Sequence, residues 1–426
     1  MQQSNIHRPV GTSSSASRPR LLVIGAGMAA AYLLQELAGK LRGWEVTVAG
    51  EEARACYNRV LLSSVLAGEQ SEEQLGMLDD TPESEARRIR FCTQTRITSI
   101  DWSQKSAQCA NGNELSFDRL VFATGARAAL PLLDGVDASG VMVLRTLNDC
   151  RALRDSAGSA RRAVVVGGGL LGLEAAHGLN RMGCQTTVVH RQAHLMNRQL
   201  DAAGGEALRA ALAGGGMAFE LGASIVSLQR EWGAVTGVTL DNGKQWSCDL
   251  LVFATGIEAN ISLAAEAGLA VDRGIQVNEF MQTSRAGVSA LGECSQLGTH
   301  CFGLVAPVRE QAKVLARVLN GEPVSGFVPG HYPTQLKISG VDIYSDGELQ
   351  GEAEELLLTD SVSGVYRRLR LRNNRLIGAV LVGDKQGGNW YSELIREAAD
   401  ISALRPGLMF GPKICESLTT ATAVAV

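Results

Sequence analysis

Short apolar runs that end on glycine, each followed by a longer stretch with helical spacing, set the rhythm of this chain. Leu21-Leu22-Val23-Ile24 is the first such run and Val164-Val165-Val166 the second. Apolar runs without polar alternation read as strands covered on both faces, and the Ala/Leu-rich stretches behind them as the covering helices. A further strand follows each helix, WEVTVAG at 44–50 and CQTTVV at 184–189. Two more segments repeat one another: FDRLVFATGARA at 117–128 and CDLLVFATGIEA at 248–259, each an aspartate, an apolar strand and Ala-Thr-Gly. Strand, helix and strand, written twice, predict an α/β chain with two parallel-sheet units. A helix is predicted over 306–319. From about residue 331 the pattern changes to short alternating strands, with a helix over 391–399, which predicts a small α+β C-terminal domain.

The turns between these elements carry the chemistry. Gly25-Ala26-Gly27-Met28-Ala29-Ala30 is G-x-G-x-x-A, and Gly167-Gly168-Gly169-Leu170-Leu171-Gly172 is a full G-x-G-x-x-G. In such a loop the first glycine permits a tight turn and the second lets the backbone approach a pyrophosphate. The small third residue packs the helix on the strand. Free N–H groups at the helix N-terminus then face the phosphates. One match is weak evidence; two, each between a strand and a helix, predict two Rossmann-like dinucleotide-binding domains. Glu51 follows the second strand of the first unit, where an acid holds a ribose hydroxyl. The matching position of the second unit holds His190 and then Arg191, which tolerate the 2'-phosphate of NADP. A solvated turn beside an undemanding adenosine pocket is the alternative, so NADH or NADPH stays open. Thr124-Gly125 and Thr255-Gly256 suit places where the chain crosses between units. The expected division is a disordered leader at 1–19, a discontinuous first domain at 20–127 and 257–328, and a second domain at 128–256. A C-terminal domain at 329–412 and a tail at 413–426 complete it.

Composition narrows the function classes. A net charge of -4 leaves no broad basic field for nucleic acid or an anionic membrane surface. No apolar stretch is long enough for a membrane span or a signal-peptide core, so a cytoplasmic protein is expected. Nine cysteines stand singly without C-x-x-C spacing, which argues against a disulfide framework and a zinc site. His190 and His194 lack a third ligand, so no metal is expected. The arginines at 367, 368, 370 and 372 read as the charged face of an edge strand, and Trp390 and Tyr391 as core packing.

These residues resemble the flavoprotein superfamily with two dinucleotide sites, of glutathione-reductase type, which includes the ferredoxin and rubredoxin reductases. The resemblance covers about residues 19 to 410. ACYNRVLLSS at 55–64, the second glycine loop, QTSRAGVSALGEC at 282–294 and FGLVAP at 302–307 look most like the flavin module of assimilatory nitrite reductase large subunits. Electron-transfer subunits of assimilatory nitrate reductases share that module. The resemblance implies FAD in the first loop and NADH or NADPH in the second. Gly25, Gly27 and Glu51 would hold the ADP half of FAD, with Met28, Ala29 and Ala30 in the first helical turn. Arg59, Ser63 and Ser64 would lie along the cofactor, Thr124 and Gly125 would support it, and Gly292-Glu293 would reach the ribityl chain. Ala306 would begin a helix facing the flavin pyrimidine. Many relatives carry a lysine at the position of Ser64, paired with the glutamate that is Glu174 here. Glu174 would bind the nicotinamide carboxamide and orient hydride transfer without that lysine.

The expected activity is that of an FAD-dependent NAD(P)H oxidoreductase delivering electrons to an external acceptor protein. The first choice of acceptor is a nitrate or nitrite reductase subunit, and the second a rubredoxin-like carrier, which would make the chain a rubredoxin or ferredoxin reductase. Nitrite reductase modules continue into cysteine-rich segments, whereas Cys415 stands alone, so the acceptor is expected in another chain. A flavin thiol or oxygen reductase would need a reactive Cys56, and a non-enzymatic redox sensor would turn over slowly. A homodimer is compatible with the resemblance.

Overall fold

A computed structural model describes residues 18–40, 43–78, 89–330, 332–336, 338 and 340–417. The expected leader lies outside them except for its last two residues, as does the tail beyond 417. Three layered units make up the described chain, each built around its own sheet.

The first sheet has five parallel strands in the order Val288–Ala290, Arg119–Phe122, Arg20–Ile24, Glu45–Ala49, Arg90–Cys92. Arg20–Ile24 is its central strand, and Leu22 and Val23 are wholly buried, as a parallel strand covered on both faces should be. Met28–Glu36 lies on one face and packs against Val305–Leu319. The strand Val288–Ala290 comes from far along the sequence, so this sheet is assembled from two separate stretches of chain.

The second sheet repeats the plan. Its parallel strands run Ala218–Leu221, Gln185–His190, Arg162–Val166, Leu250–Phe253, Val141–Val143. Each unit also inserts a three-stranded antiparallel meander before the strand that leads into Ala-Thr-Gly. These are Ile97–Asp101, Ser106–Cys109 and Glu114–Ser116 in the first unit, and Ile225–Glu231, Ala234–Leu240 and Gln245–Ser247 in the second. The two Ala-Thr-Gly turns meet: Ala126–Ala128 pairs antiparallel with Ile257–Ala259, so the outgoing and returning chains cross the junction as one two-stranded ribbon.

The C-terminal sheet is antiparallel, in the order Thr334–Gln335, Ile343–Gly347, Arg375–Val382, Val365–Arg372, Glu354–Asp360, with the helix Gly388–Glu397 against it. That helix starts three residues before the expected position, and Tyr391 is fully buried with its hydroxyl donating to the Leu408 carbonyl at 2.7 Å. The arginine-rich strand is an interior strand, not an edge, which corrects the sequence expectation. Arg370 is 0% exposed and donates to the carbonyls of Glu348, Gln350 and Gly351, which tie down one turn. Arg367 pairs with Asp384, and Arg368 with Glu355. Alternation alone could not separate a charged face from arginines folded under their own turns. The C-terminal unit docks on the second unit, where the Tyr366 hydroxyl donates to Asp201 at 2.5 Å. Among the described residues no helix is long and apolar enough to cross a membrane.

Candidate active site at two nucleotide-binding loops

Backbone contact with a neighbouring strand shapes both glycine loops. Gly25 has φ +108, and a Cβ there would lie 2.1 Å from the Ala123 carbonyl oxygen. Gly167 has φ +124, and a Cβ would lie 2.3 Å from the Ala254 carbonyl oxygen. Only glycine meets both demands. Space opens at the second glycine of each loop: a Cβ on Gly169 would meet nothing within 4 Å, and on Gly27 nothing closer than Arg59 at 3.8 Å. Gly172 closes the second loop, since a Cβ there would fall 1.9 Å from the Gly167 carbonyl oxygen. The helices Met28–Glu36 and Leu170–Arg181 begin directly after Gly27 and Gly169 without side-chain caps. Their first turns, with Met28, Ala29 and Ala30 in one and Leu170 and Leu171 in the other, present uncapped N–H groups to that space. An anionic diphosphate fits both cradles.

One short segment touches both loops. The Asn58 side chain accepts the Val60 N–H at 3.1 Å and starts the turn Arg59–Leu61, which runs into the helix Leu62–Leu66. The Arg59 guanidinium stands beside Gly27, pairs with Glu52, donates to the Arg145 carbonyl at 3.1 Å and sits 5.0 Å from the Tyr57 ring centroid. One helical turn later, Ser63 is buried and its hydroxyl donates to Oε2 of Glu174 at 2.8 Å. Glu174 is itself only 7% exposed, on the helix that opens at Gly169. Ser63, rather than Ser64, is therefore the hydroxyl that meets Glu174. Ser64 is buried alongside, and its carbonyl accepts the N–H groups of Glu69 and Gln70.

Around the first loop lies a set of paired charges. Glu293 forms an ion pair with Arg145, whose Nε donates to the Ala126 carbonyl at 3.1 Å. Gly292 donates its N–H to the Gln311 side chain at 2.8 Å; Gln311 is wholly buried, and its Nε2 has no partner. A buried donor left over beside Gly292-Glu293 is consistent with a polar group being held there. Ala306 lies in the first turn of Val305–Leu319, which has no side-chain cap. The Thr124 hydroxyl donates to the Asn260 carbonyl at 2.8 Å, and Asn260 returns its amide to the Thr124 carbonyl at 2.8 Å. Asn260 N–H also donates to the Gly125 carbonyl at 2.9 Å. The Thr255 hydroxyl donates to Ala129 at 2.7 Å, and the Gly256 carbonyl accepts from Ala129 at 3.0 Å.

Glu51 stands exposed at the end of its strand, 3.6 Å from Arg96. Its neighbour Glu52 is the acid that folds inward, taking the Tyr57 hydroxyl at 2.5 Å as well as Arg59. In the second unit His190 is half-buried rather than solvated. Its Nδ1 lies 3.1 Å from the Gly168 N–H and its Nε2 3.2 Å from Asn197 Oδ1, and burial holds its pKa below the usual imidazole value. Arg191 is exposed. Cys56 is 4% exposed, and burial pushes its thiol up to about 12. Among the described residues no cluster of three or more His, Cys, Asp or Glu could hold a metal.

Sequence reading missed Glu52, Tyr57, Arg145 and Asn260. Arg145 had no signal of its own, although Thr146 and Asp149 after it form a capping pair visible as T-x-x-D. Asn260 had only its place after the second Ala-Thr-Gly strand.

A model of the pyridine nucleotide-disulphide oxidoreductase family matches residues 19–314. The chain belongs to this family. Members are FAD-containing NAD(P)H oxidoreductases, as the motifs led us to expect. A second model, the rubredoxin NAD+ reductase C-terminal domain, matches residues 333–399 of this oxidoreductase. Nitrite reductase [NAD(P)H] of Bacillus subtilis (strain 168) is 34% identical over 409 residues, covering 95% of this chain and 51% of the relative. The assimilatory nitrate reductase electron transfer subunit of the same organism is 35% identical over 390 residues, covering 90% of this chain and 50% of the relative. The chain thus spans about half the length of these curated relatives. Putidaredoxin reductase in its covalent complex with putidaredoxin superposes with a TM-score of 0.83 at 23% identity, covering 95% of this chain and 99% of that one, which establishes the fold.

Proposed function

We propose that this oxidoreductase takes hydride from NAD(P)H at the second loop, holds FAD at the first, and passes electrons to a separate redox protein. The catalytic subunit of an assimilatory nitrate or nitrite reductase is the acceptor we favour. The observation that carries the reading is the segment 58–66. With Arg59 at Gly27 and Ser63 on Glu174, one helical turn links the phosphate cradle of the first loop to a buried carboxylate on the helix that opens the second.

FAD, when bound, supplies the conversion of a two-electron hydride into single electrons. The protein's part is binding and orientation. Gly25, Gly27 and the helix start at Met28, Ala29 and Ala30 hold a pyrophosphate, Glu51 a ribose hydroxyl, and Arg59 a position beside the same phosphates. Thr124, Gly125 and Glu293 line the ribityl side, with Arg145 fixing the Glu293 carboxylate. The uncapped start of Val305–Leu319 at Ala306 presents a partial positive charge, suited to negative charge on a reduced pyrimidine. Gly167, Gly169, Leu170, Leu171 and Gly172 hold the second pyrophosphate, and His190 and Arg191 stand at its adenosine end. Thr255 and Gly256 shape the crossing beside it. Glu174, oriented by Ser63, accepts from the nicotinamide amide and sets the hydride's approach.

A thiol-based mechanism is disfavoured, because a Cys56 thiol raised to about 12 is almost wholly protonated at neutral pH. Nine free cysteines accord with a reducing, cytoplasmic setting. The C-terminal match at 333–399 supports a rubredoxin-like carrier as second acceptor. Anaerobic titration of the purified yellow protein with NADH and NADPH should bleach the flavin, and an added acceptor should restore its colour. A colourless protein, or a flavin that neither nucleotide bleaches, sinks the reading.

A further inference from the structure

The hairpin of Ile225–Glu231 and Ala234–Leu240 turns in two residues, Trp232 at φ +52 and Gly233 at φ +81. Positive φ at both positions gives the turn that matches the twist of the strands and favours Asn-Gly. Gly233 suits it. A tryptophan does not, because a bulky side chain crowds the backbone in the left-handed region. The Trp232 side chain is 103% exposed, so among the described residues no packing offsets that strain. A strained and uncovered aromatic points to a surface that another molecule covers.

The hairpin tip is tied to the segment 130–141, which leads into Val141–Val143, the last strand of the second sheet. Ser139 donates its N–H to the Gly233 carbonyl at 2.9 Å and accepts the Val235 N–H at 2.9 Å, and Arg230 donates to Asp134 at 2.6 Å. The same segment carries the wholly exposed Leu132. It also walls a cavity of about 230 Å³ lined by Leu130, Val136, Val141, Met142, Val143 and Asp149. Leu130 is 46% exposed, so that wall is open to solvent. An apolar cavity of about 150 Å³ holds benzene, so this one is large enough for an indole. Asp149 is fixed in place, since its Oδ2 accepts the N–H groups of Arg145 at 3.0 Å and Thr146 at 2.7 Å. Its carboxylate supplies the acceptor that a buried indole N–H requires.

Knob and hole thus belong to one surface of one chain, which is the condition for a two-fold contact in which each copy gives and receives. We propose that a second copy of this chain covers the surface, with Trp232 of each copy seated in the Leu130–Met142 cavity of the other. An electron carrier is the poorer occupant. The tip is bound at Ser139, ahead of the amino end of Val141–Val143, whereas the second glycine loop leaves the carboxyl end of the parallel strand Arg162–Val166. A stable dimer buries roughly 800 Å² per copy, of which a tryptophan brings up to about 250 Å², and the exposed Leu132 adds to it.

The flavin-loaded protein is examined by sedimentation and by light scattering across a dilution series, where it should show twice the chain mass and dissociate on dilution. Trp232→Asn installs the favoured Asn-Gly turn, so the variant should fold, keep its flavin and keep its reduction by NAD(P)H, while association weakens at least about thirtyfold. Leu130→Asp, which charges the cavity wall, should weaken association to a similar degree. Mixing the two variants restores one intact knob and hole, so the mixture should associate more tightly than either variant alone. A native chain that keeps the mass of one copy up to about 100 µM overturns the dimer. So does a Trp232→Asn variant that still pairs, and a mixture no tighter than its components overturns the seating of Trp232 in the cavity. A native chain that is monomeric, and whose Trp232→Asn variant loses only acceptor reduction, assigns the surface to the acceptor and overturns the proposal.

Discussion

The two glycine loops are near copies in backbone and opposites in what surrounds them. Gly25 and Gly167 press on the carbonyls of Ala123 and Ala254, equivalent residues of the two repeated strands, at φ +108 and φ +124. After the next strand the copies part. The first unit offers an exposed Glu51 and an inward Glu52 locked to Arg59 and Tyr57. The second folds His190 back onto its own loop and leaves Arg191 uncovered. A diphosphate demands the same turn from any dinucleotide site, so that part is duplicated; identity is written in the residues that meet the sugar and the ring.

Alanine at the two equivalent glycines breaks the comparison most strongly. Each substitution places a Cβ on a carbonyl and forces a left-handed backbone, a cost of roughly 2 kcal/mol or more. Gly25→Ala should yield colourless protein. Gly167→Ala should keep its flavin and lose bleaching by NAD(P)H, as absorbance spectra would show. If both variants lose flavin equally, the two loops do not have separate tenants.

Ser63→Ala tests the bridge between the loops. It removes a donor from a buried carboxylate, worth about 1–2 kcal/mol, and should slow anaerobic flavin reduction roughly tenfold while leaving flavin content unchanged. Loss of flavin instead would mean that the segment serves only the first loop.

A smaller effect distinguishes the loops by pH. His190 is held neutral mainly by burial, with Arg191 and His194 also disfavouring its charge. Its folded pKa lies below the ordinary value of 6.5, so its contribution is complete above 6.5 and is lost as pH falls through the folded value. Protonation would cancel the acceptor at Nδ1 that holds Gly168. The KM for NAD(P)H should therefore rise several-fold in acid before any flavin is released, and His190→Asn should flatten that profile.

Much of this was legible because two of its causes are local. A glycine that must turn against a strand, and an apolar run covered on both faces, mark the sequence wherever they occur, so both loops and both sheets were readable. The Ala-Thr-Gly repeat also marks two strands that pair with one another. Charge pairing was not legible. Whether Glu51 or Glu52 turns inward depends on Arg59 and Tyr57, and whether Glu293 is paired depends on Arg145, which arrives from the other unit. The arginine strand failed for the same reason: Arg370 is satisfied by carbonyls of a turn that the strand's own pattern does not encode.

The smallest expected effect concerns the one thiol beside a loop. Cys56 donates its N–H to the Ala26 carbonyl at 2.7 Å, inside the first glycine turn, at φ +50. In the second loop the matching contact is the Met196 N–H on the Gly168 carbonyl at 2.8 Å, at φ +47 and without a thiol, so a reactive Cys56 would make the first loop alone a thiol site as well as a flavin site. Burial argues otherwise, since a thiol raised to about 12 yields almost no thiolate near pH 8. Cys56→Ser should leave carrier reduction unchanged, and alkylation of the native protein at that pH should label the exposed Cys301 while sparing Cys56. Loss of turnover in the serine variant, with flavin retained, would move the first loop into the thiol class and give the two loops different chemistries.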